Sequence, residues 1–150
     1  MRLLIATFFG IFAFFVHADT MNHYMNISNQ IPQMEMKADP QAQAWARSAR
    51  SIMVITNESI AETLTQANEL AKAQGKPLFC LPLNTTLNAM TMGGIILQAY
   101  RDNSSQQSDK DRMTVSQMAW AGVTKAYPCQ PQVAQTNSFA VQQMQHISGK

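Results

Sequence analysis

The sequence predicts an all-α fold: a small compact helical domain of about four helices with one disulfide. Apolar side chains return every three to four residues along stretches rich in Ala, Gln, Arg and Glu, all good helix formers. Helix-start and helix-stop residues bracket those stretches. No run alternates apolar and polar residues as a half-buried strand does, no Gly-Asn hairpin signal occurs, and no segment repeats another. A chain of 150 residues suffices for one domain with a modest core.

Residues 1–18 read MRLLIATFFGIFAFFVHA. One cation at Arg2, an apolar run from Leu3 to Val16 and the small-residue pattern Val16-His17-Ala18 are the marks of a secretory signal peptide cleaved after Ala18. The run is short for a bilayer span, and no basic stop-transfer cluster follows it. No Cys follows the cleavage point, so a lipid anchor is not expected. The remaining chain, from Asp19, is expected to work in an oxidising compartment.

Four regions follow: the signal peptide at 1–18, an N-terminal arm at 19–38, a helical domain at 39–130 and a polar tail or short helix at 131–150. The arm is Met-rich, is interrupted by Pro32 and has room for a short helix. Asp39-Pro40 starts the first long helix, an acidic N-cap followed by Pro at the first helical position. Trp45, Ala49, Ile52, Met53, Ile60, Leu64, Ala67 and Leu70 mark its apolar face, and Asn57 with Ser59 offers a break or kink. Gly75 supplies a left-handed stop, and Pro77 follows. The segment 76–84, KPLFCLPLN, is an ordered turn with Cys80 between two prolines.

Thr85 or Thr86 is expected to cap the next helix, which runs to about Asp102 with Leu87, Met90, Ile95, Leu97 and Tyr100 facing the core. Gly93-Gly94 inside it costs about 1 kcal/mol per glycine where exposed, so close approach of another helix is the expected reason for the pair. Residues 102–112, DNSSQQSDKDR, hold no apolar side chain and read as a solvated loop or helix-entry turn. Ser108 with Asp111, or Thr114 alone, caps the last helix. Its stripe is Val115, Met118, Ala119, Gly122, Val123 and Ala126, and it closes before Pro128. Four Asn-x-Ser/Thr patterns, at Asn26, Asn57, Asn84 and Asn103, matter only in a eukaryotic host.

Charge and chemistry narrow the function. Eleven Lys and Arg face nine Asp and Glu, a net charge of +2, and loss of Arg2 leaves ten against nine. That balance gives no basis for nucleic acid or an anionic membrane as partner. The two cysteines, Cys80 and Cys129, are expected to pair in an oxidising compartment. Of the three histidines, His17 leaves with the leader, His23 lies near the mature N-terminus and His146 in the polar tail, so neither a catalytic Cys nor a metal site finds partners. No G-x-S-x-G or H-E-x-x-H occurs. The expectation is a protein that is not an enzyme and carries no cofactor and no metal.

Phe79-Cys80-Leu81-Pro82, the Thr86-to-Tyr100 helix ahead of a polar loop, and the Ala-rich stretch from Val115 to Tyr127-Pro128-Cys129 share order and spacing with a known small domain. The chain from Lys76 to Cys129 resembles the Rap1a/Tai family of type VI secretion amidase immunity proteins. Residues 41–74 match it only in general character, and 48–60 lack the glycine that members often carry in the first helix. The resemblance implies a periplasmic protein that binds and blocks a peptidoglycan amidase by occluding its active site. A periplasmic adaptor or assembly factor binding an envelope or secretion component is the alternative. An occluding protein needs a rigid body and an oriented surface. Arg101, Asp102, Asn103, Lys110, Asp111 and Arg112, in and beside the polar loop, are the candidate partner-binding residues. A homodimer through exposed Met and Ile side chains is a further expectation.

Overall fold

Asp39 opens the longest helix as its pattern requires. Its carboxylate accepts from the backbone N–H groups of Gln41 and Ala42 at 3.1 and 3.3 Å, and Pro40 takes the first helical position. In the computed structural model, which describes residues 19–129, five helices occur among the described residues. They are α1 (Met21–Glu35), α2 (Pro40–Ala73), α3 (Ala89–Asp102), α4 (Gln107–Arg112) and α5 (Val115–Ala126). The signal peptide expected at 1–18 and the tail expected at 131–150 lie outside the described residues.

In the stretch 19–38, expected as an arm with room for a short helix, the helix takes up most of the segment and packs on α2. Thr20 caps α1, whose Met21 and Tyr24 are among the most deeply buried side chains. The helix folds back antiparallel on α2, as two contacts show: the Tyr24 hydroxyl donates to Asn57 Oδ1 at 3.1 Å, and Arg50 pairs with Glu35 at 2.6 Å. Pro32 lies inside α1 without ending it. The sequence reading undervalued this segment because Pro in a helix interior usually breaks it.

α2 runs unbroken through Asn57 and Ser59, so the expected break does not occur there. Asn57 is buried and bonded to Tyr24, which also removes it as a glycan acceptor. The buried face is made of small residues, Ala42, Ala46, Ala49 and Ala61, with Met53, Ile60 and Leu64 packed against the core. Trp45, Ile52 and Leu70, expected inside, are exposed. Alanine lets α1 and α3 approach the α2 backbone closely, and the face that does this is rotated from the one carrying the larger apolar residues. Gly75 ends the helix with φ +74, as expected.

α3 begins later than the threonines suggest. Asn88 is its N-cap, joined to Thr91 in a reciprocal capping box, and Glu58 reaches across from α2 to accept from the Ala89 N–H. That shifts the core positions: Met92 and Ile96 are fully buried, whereas Met90, expected inside, is 86% exposed. Gly93 does mark close approach, since a Cβ there would lie 2.8 Å from Asn57 Nδ2, but Gly94 has nothing within 4 Å. α5 matches its expected stripe, with Val115, Met118, Ala119, Gly122 and Val123 buried; only Ala126 is outside. At Gly122 an added Cβ would meet Ile95 Cγ2 at 2.6 Å and the Ile95 carbonyl at 3.1 Å, so α3 and α5 touch nearly backbone to backbone.

The turn between α2 and α3 is anchored by Phe79, 1% exposed, whose N–H donates with that of Leu78 to Asn68 Oδ1 at 3.1 and 2.8 Å. Next to it Cys80 is bonded to Cys129, and the Cys80 N–H donates to the Tyr127 carbonyl at 2.9 Å. The expected disulfide therefore joins the turn after α2 to the end of α5.

Two stability outcomes follow. Replacing both Cys80 and Cys129 with Ala lowers unfolding free energy in urea by about 2–4 kcal/mol, the range for closing a loop of this size; an unchanged midpoint would show that the cross-link contributes nothing. Gly122→Ala costs about 1–3 kcal/mol through the clash with Ile95, whereas Gly94→Ala gains about 0.5–1 kcal/mol because the helix loses a flexible residue and meets no neighbour. Equal effects at the two glycines would contradict the packing.

Candidate functional site

The polar sequence 102–112 builds a corner rather than an open loop. Asn103 closes α3, and its Oδ1 accepts from the Ser105 N–H at 2.9 Å, an Asx turn that reverses the chain. α4 follows as a short helix with no side-chain N-cap. It then meets the N-terminus of α5, where Thr114 and Gln117 form a capping box. The far side is pinned by the start of the described chain: Met21 N–H donates to the Met113 carbonyl at 2.8 Å, Val115 N–H to the Asp19 carbonyl at 3.0 Å, and Thr20 bridges Thr114.

Tyr100, two residues before the end of α3, organises the corner. Its hydroxyl donates to Asp111 and accepts from Gln107 Nε2, and Gln107 also donates to Asp111 at 2.8 Å. Lys110 Nζ lies 4.6 Å from the centre of the Tyr100 ring, a cation–π contact. The Tyr100 bond, then that from Gln107, holds the Asp111 carboxyl below the usual carboxylate range. Desolvation, then the neighbouring carboxylate, pushes the Tyr100 phenol up.

The six candidate residues separate into groups. Lys110 and Asp111 belong to the Tyr100 cluster. Asp102 turns the other way: it pairs with Lys125 of α5 at 3.0 Å and accepts from Gln98 at 2.7 Å, and the Lys125 bond foremost lowers its carboxyl pKa. Arg101 donates to Gln98 at 2.7 Å, and Arg112 pairs with Asp109 at 2.9 Å. Asn103 is spent on the turn and on Met113, whose sulfur its Nδ2 approaches at 3.5 Å. Sequence reasoning did not see Tyr100, Gln107, Gln98 or Lys125 as parts of this surface. Only the Gln107–Asp111 spacing of four carried a local signal.

A second surface was not foreseen at all. An open groove of about 470 Å³ runs between α1 and α3 over a floor of α2. Ile31 and Pro32 line one wall, Met90, Gly93, Gly94 and Leu97 the other, and Arg50, Met53, Val54 and Asn57 the floor. The Gly93-Gly94 pair was its one trace in the sequence.

Among the described residues no group of three or more His, Cys, Asp or Glu is placed to hold a metal ion, and no helix is long and apolar enough to cross a membrane. No protein-family model, curated protein or solved structure matches this chain.

The carboxylates of the corner set its acid response. Because Asp111 and Asp102 have lowered pKa values when folded, the stabilisation they supply is present above the ordinary aspartate range, near pH 4, and is lost as pH falls through the folded values. A carboxyl-carbon NMR titration finds the Asp111 midpoint below that of an unpaired aspartate, and Tyr100→Phe moves it up. A midpoint indifferent to Tyr100→Phe would mean that the Tyr100 bond does not form in solution.

Proposed function

We propose that this chain is a periplasmic immunity protein of the Rap1a/Tai kind, which binds a peptidoglycan amidase and occludes its active site without catalysing a reaction. The observation that carries the reading is the α3–α4 corner. It is a small charged projection whose side chains are already fixed: Tyr100, Gln107, Asp111 and Lys110 hold one another, and the N-terminus of α1 holds the base. Preorganisation of this kind lowers the entropy lost on association. Cations and anions alternate along it, Asp109, Lys110, Asp111 and Arg112, a pattern that favours an oriented and selective partner over general attraction to one sign of charge.

The family motifs add to this. Phe79-Cys80-Leu81-Pro82 and Tyr127-Pro128-Cys129 meet at the disulfide, which braces the helices that carry the corner. The signal-peptide pattern at 1–18 supplies the compartment where peptidoglycan is exposed.

The test is capture by the oxidised protein of products of genes adjacent to its own, followed by amidase assays. Submicromolar capture of a peptidoglycan amidase with loss of its activity is the expected result. Capture of an envelope or secretion component instead, with the amidase untouched, favours the adaptor reading. In the first case Lys110→Glu with Arg112→Glu weakens binding at least about tenfold while the melting temperature moves by less than about 3 °C, since exposed pairs contribute little to stability. Unaltered affinity would place the interface elsewhere.

A further inference from the structure

The groove between α1 and α3 is apolar along most of its length, yet it holds polar groups with hydrogen-bonding capacity to spare. Asn57 is 7% exposed and commits its Oδ1 to Tyr24, while its Nδ2 has no acceptor among the described residues. No fully buried side-chain nitrogen or oxygen among those residues is left unpaired, so this amide is not sealed in. Asn57 lines the groove floor and faces Gly93, where a side chain would collide with it.

On the opposite wall Pro32 has no N–H to give the Ser28 carbonyl, so that carbonyl lacks its usual helical partner, and both residues line the groove. Seven residues along α2 from Asn57, about 10 Å at 1.5 Å per residue, Arg50 reaches the same groove with its side chain 58% exposed in a surface pair with Glu35.

We infer that this groove docks a short apolar peptide segment of a protein partner, read by Asn57, the Ser28 carbonyl and Arg50. The guest must bring an acceptor for Asn57, a donor for Ser28 and an anion for Arg50, set apart along its length, together with apolar side chains for Ile31, Val54 and Leu97. A peptide carries a carbonyl and an N–H at every residue and adds Asp or Glu. A fatty acid offers acceptors at one end only and no donor. Gly94 leaves its part of the α3 wall open, with nothing within 4 Å of where a Cβ would stand, so a guest backbone can come close. Met53 and Met90 adapt to different apolar residues. The volume, about 470 Å³, lies within the range of formed ligand sites. The inference holds whichever protein covers the α3–α4 corner.

The experiment pans random dodecapeptides displayed on phage against the oxidised full chain and synthesises the enriched sequence. The expected consensus pairs apolar residues with one acidic residue. The synthetic peptide binds with a micromolar Kd and shifts the Asn57 side-chain amide signals in NMR. Gly94→Trp, whose Cβ meets no neighbour and whose indole then fills the groove, weakens binding at least about tenfold, and Arg50→Ala about threefold. Neither variant lowers the melting temperature by more than about 3 °C. Lys110→Glu with Arg112→Glu leaves peptide binding unchanged, which separates this site from the corner. Three results overturn the inference: no sequence enriches, the enriched peptide binds Gly94→Trp within about twofold of wild type, or decanoate saturates the groove while every peptide fails.

Discussion

Phe79 in its slot is the constraint on which the rest of the fold depends. The turn that carries it has prolines on both sides, and the amide groups of Leu78 and Phe79 would be stranded if Asn68 did not take both on one carbonyl oxygen. Once Phe79 is placed, Cys80 lies against the end of α5, and the disulfide and the Tyr127 carbonyl hold it there. α3 and α5 are then fixed relative to α2 from one side. The short chain segments between them decide the remainder.

Small residues set the spacing once the elements are placed. Alanines on α2, Gly93 on α3 and Gly122 on α5 bring helices close enough for buried groups to bond directly, as Tyr24 does with Asn57. Close packing of this sort maximises dispersion contacts and leaves little tolerance for added atoms. It also leaves several large apolar residues outside, Trp45, Ile52, Ile55 and Met90 among them. The exposed apolar surface is thus a consequence of how the core is built.

The sequence was most legible where the signal is local. Asp39-Pro40, Gly75 and Pro128 mark helix ends through their own backbone chemistry, and the α5 stripe is continuous enough to give the correct face. It was least legible where a distant residue decides. Glu58 helps to set the start of α3 from thirty-one positions away, and a reading that stops at Thr85 and Thr86 cannot see it. α1 was hidden by Pro32, since burial of Met21 and Tyr24 outweighs one missing hydrogen bond. The corner was found as a stretch of polar residues. Its organisation was not, because Tyr100 has enough apolar surface to pass for a core residue while its hydroxyl works outside. The groove belongs to three helices at once and has no sequence signature beyond a glycine pair.

The Cys80–Cys129 bond has one more consequence. Together with the chain between them it makes a covalent ring that contains α3, α4 and α5, and the α3–α4 corner lies on that ring. A protease that cuts the exposed corner opens the ring without releasing either piece. The nicked protein stays a single molecule, with Phe79 still seated and both new ends tethered near where they were made. Proteolysis there would therefore register as a change in the corner's shape before it registered as loss of the protein.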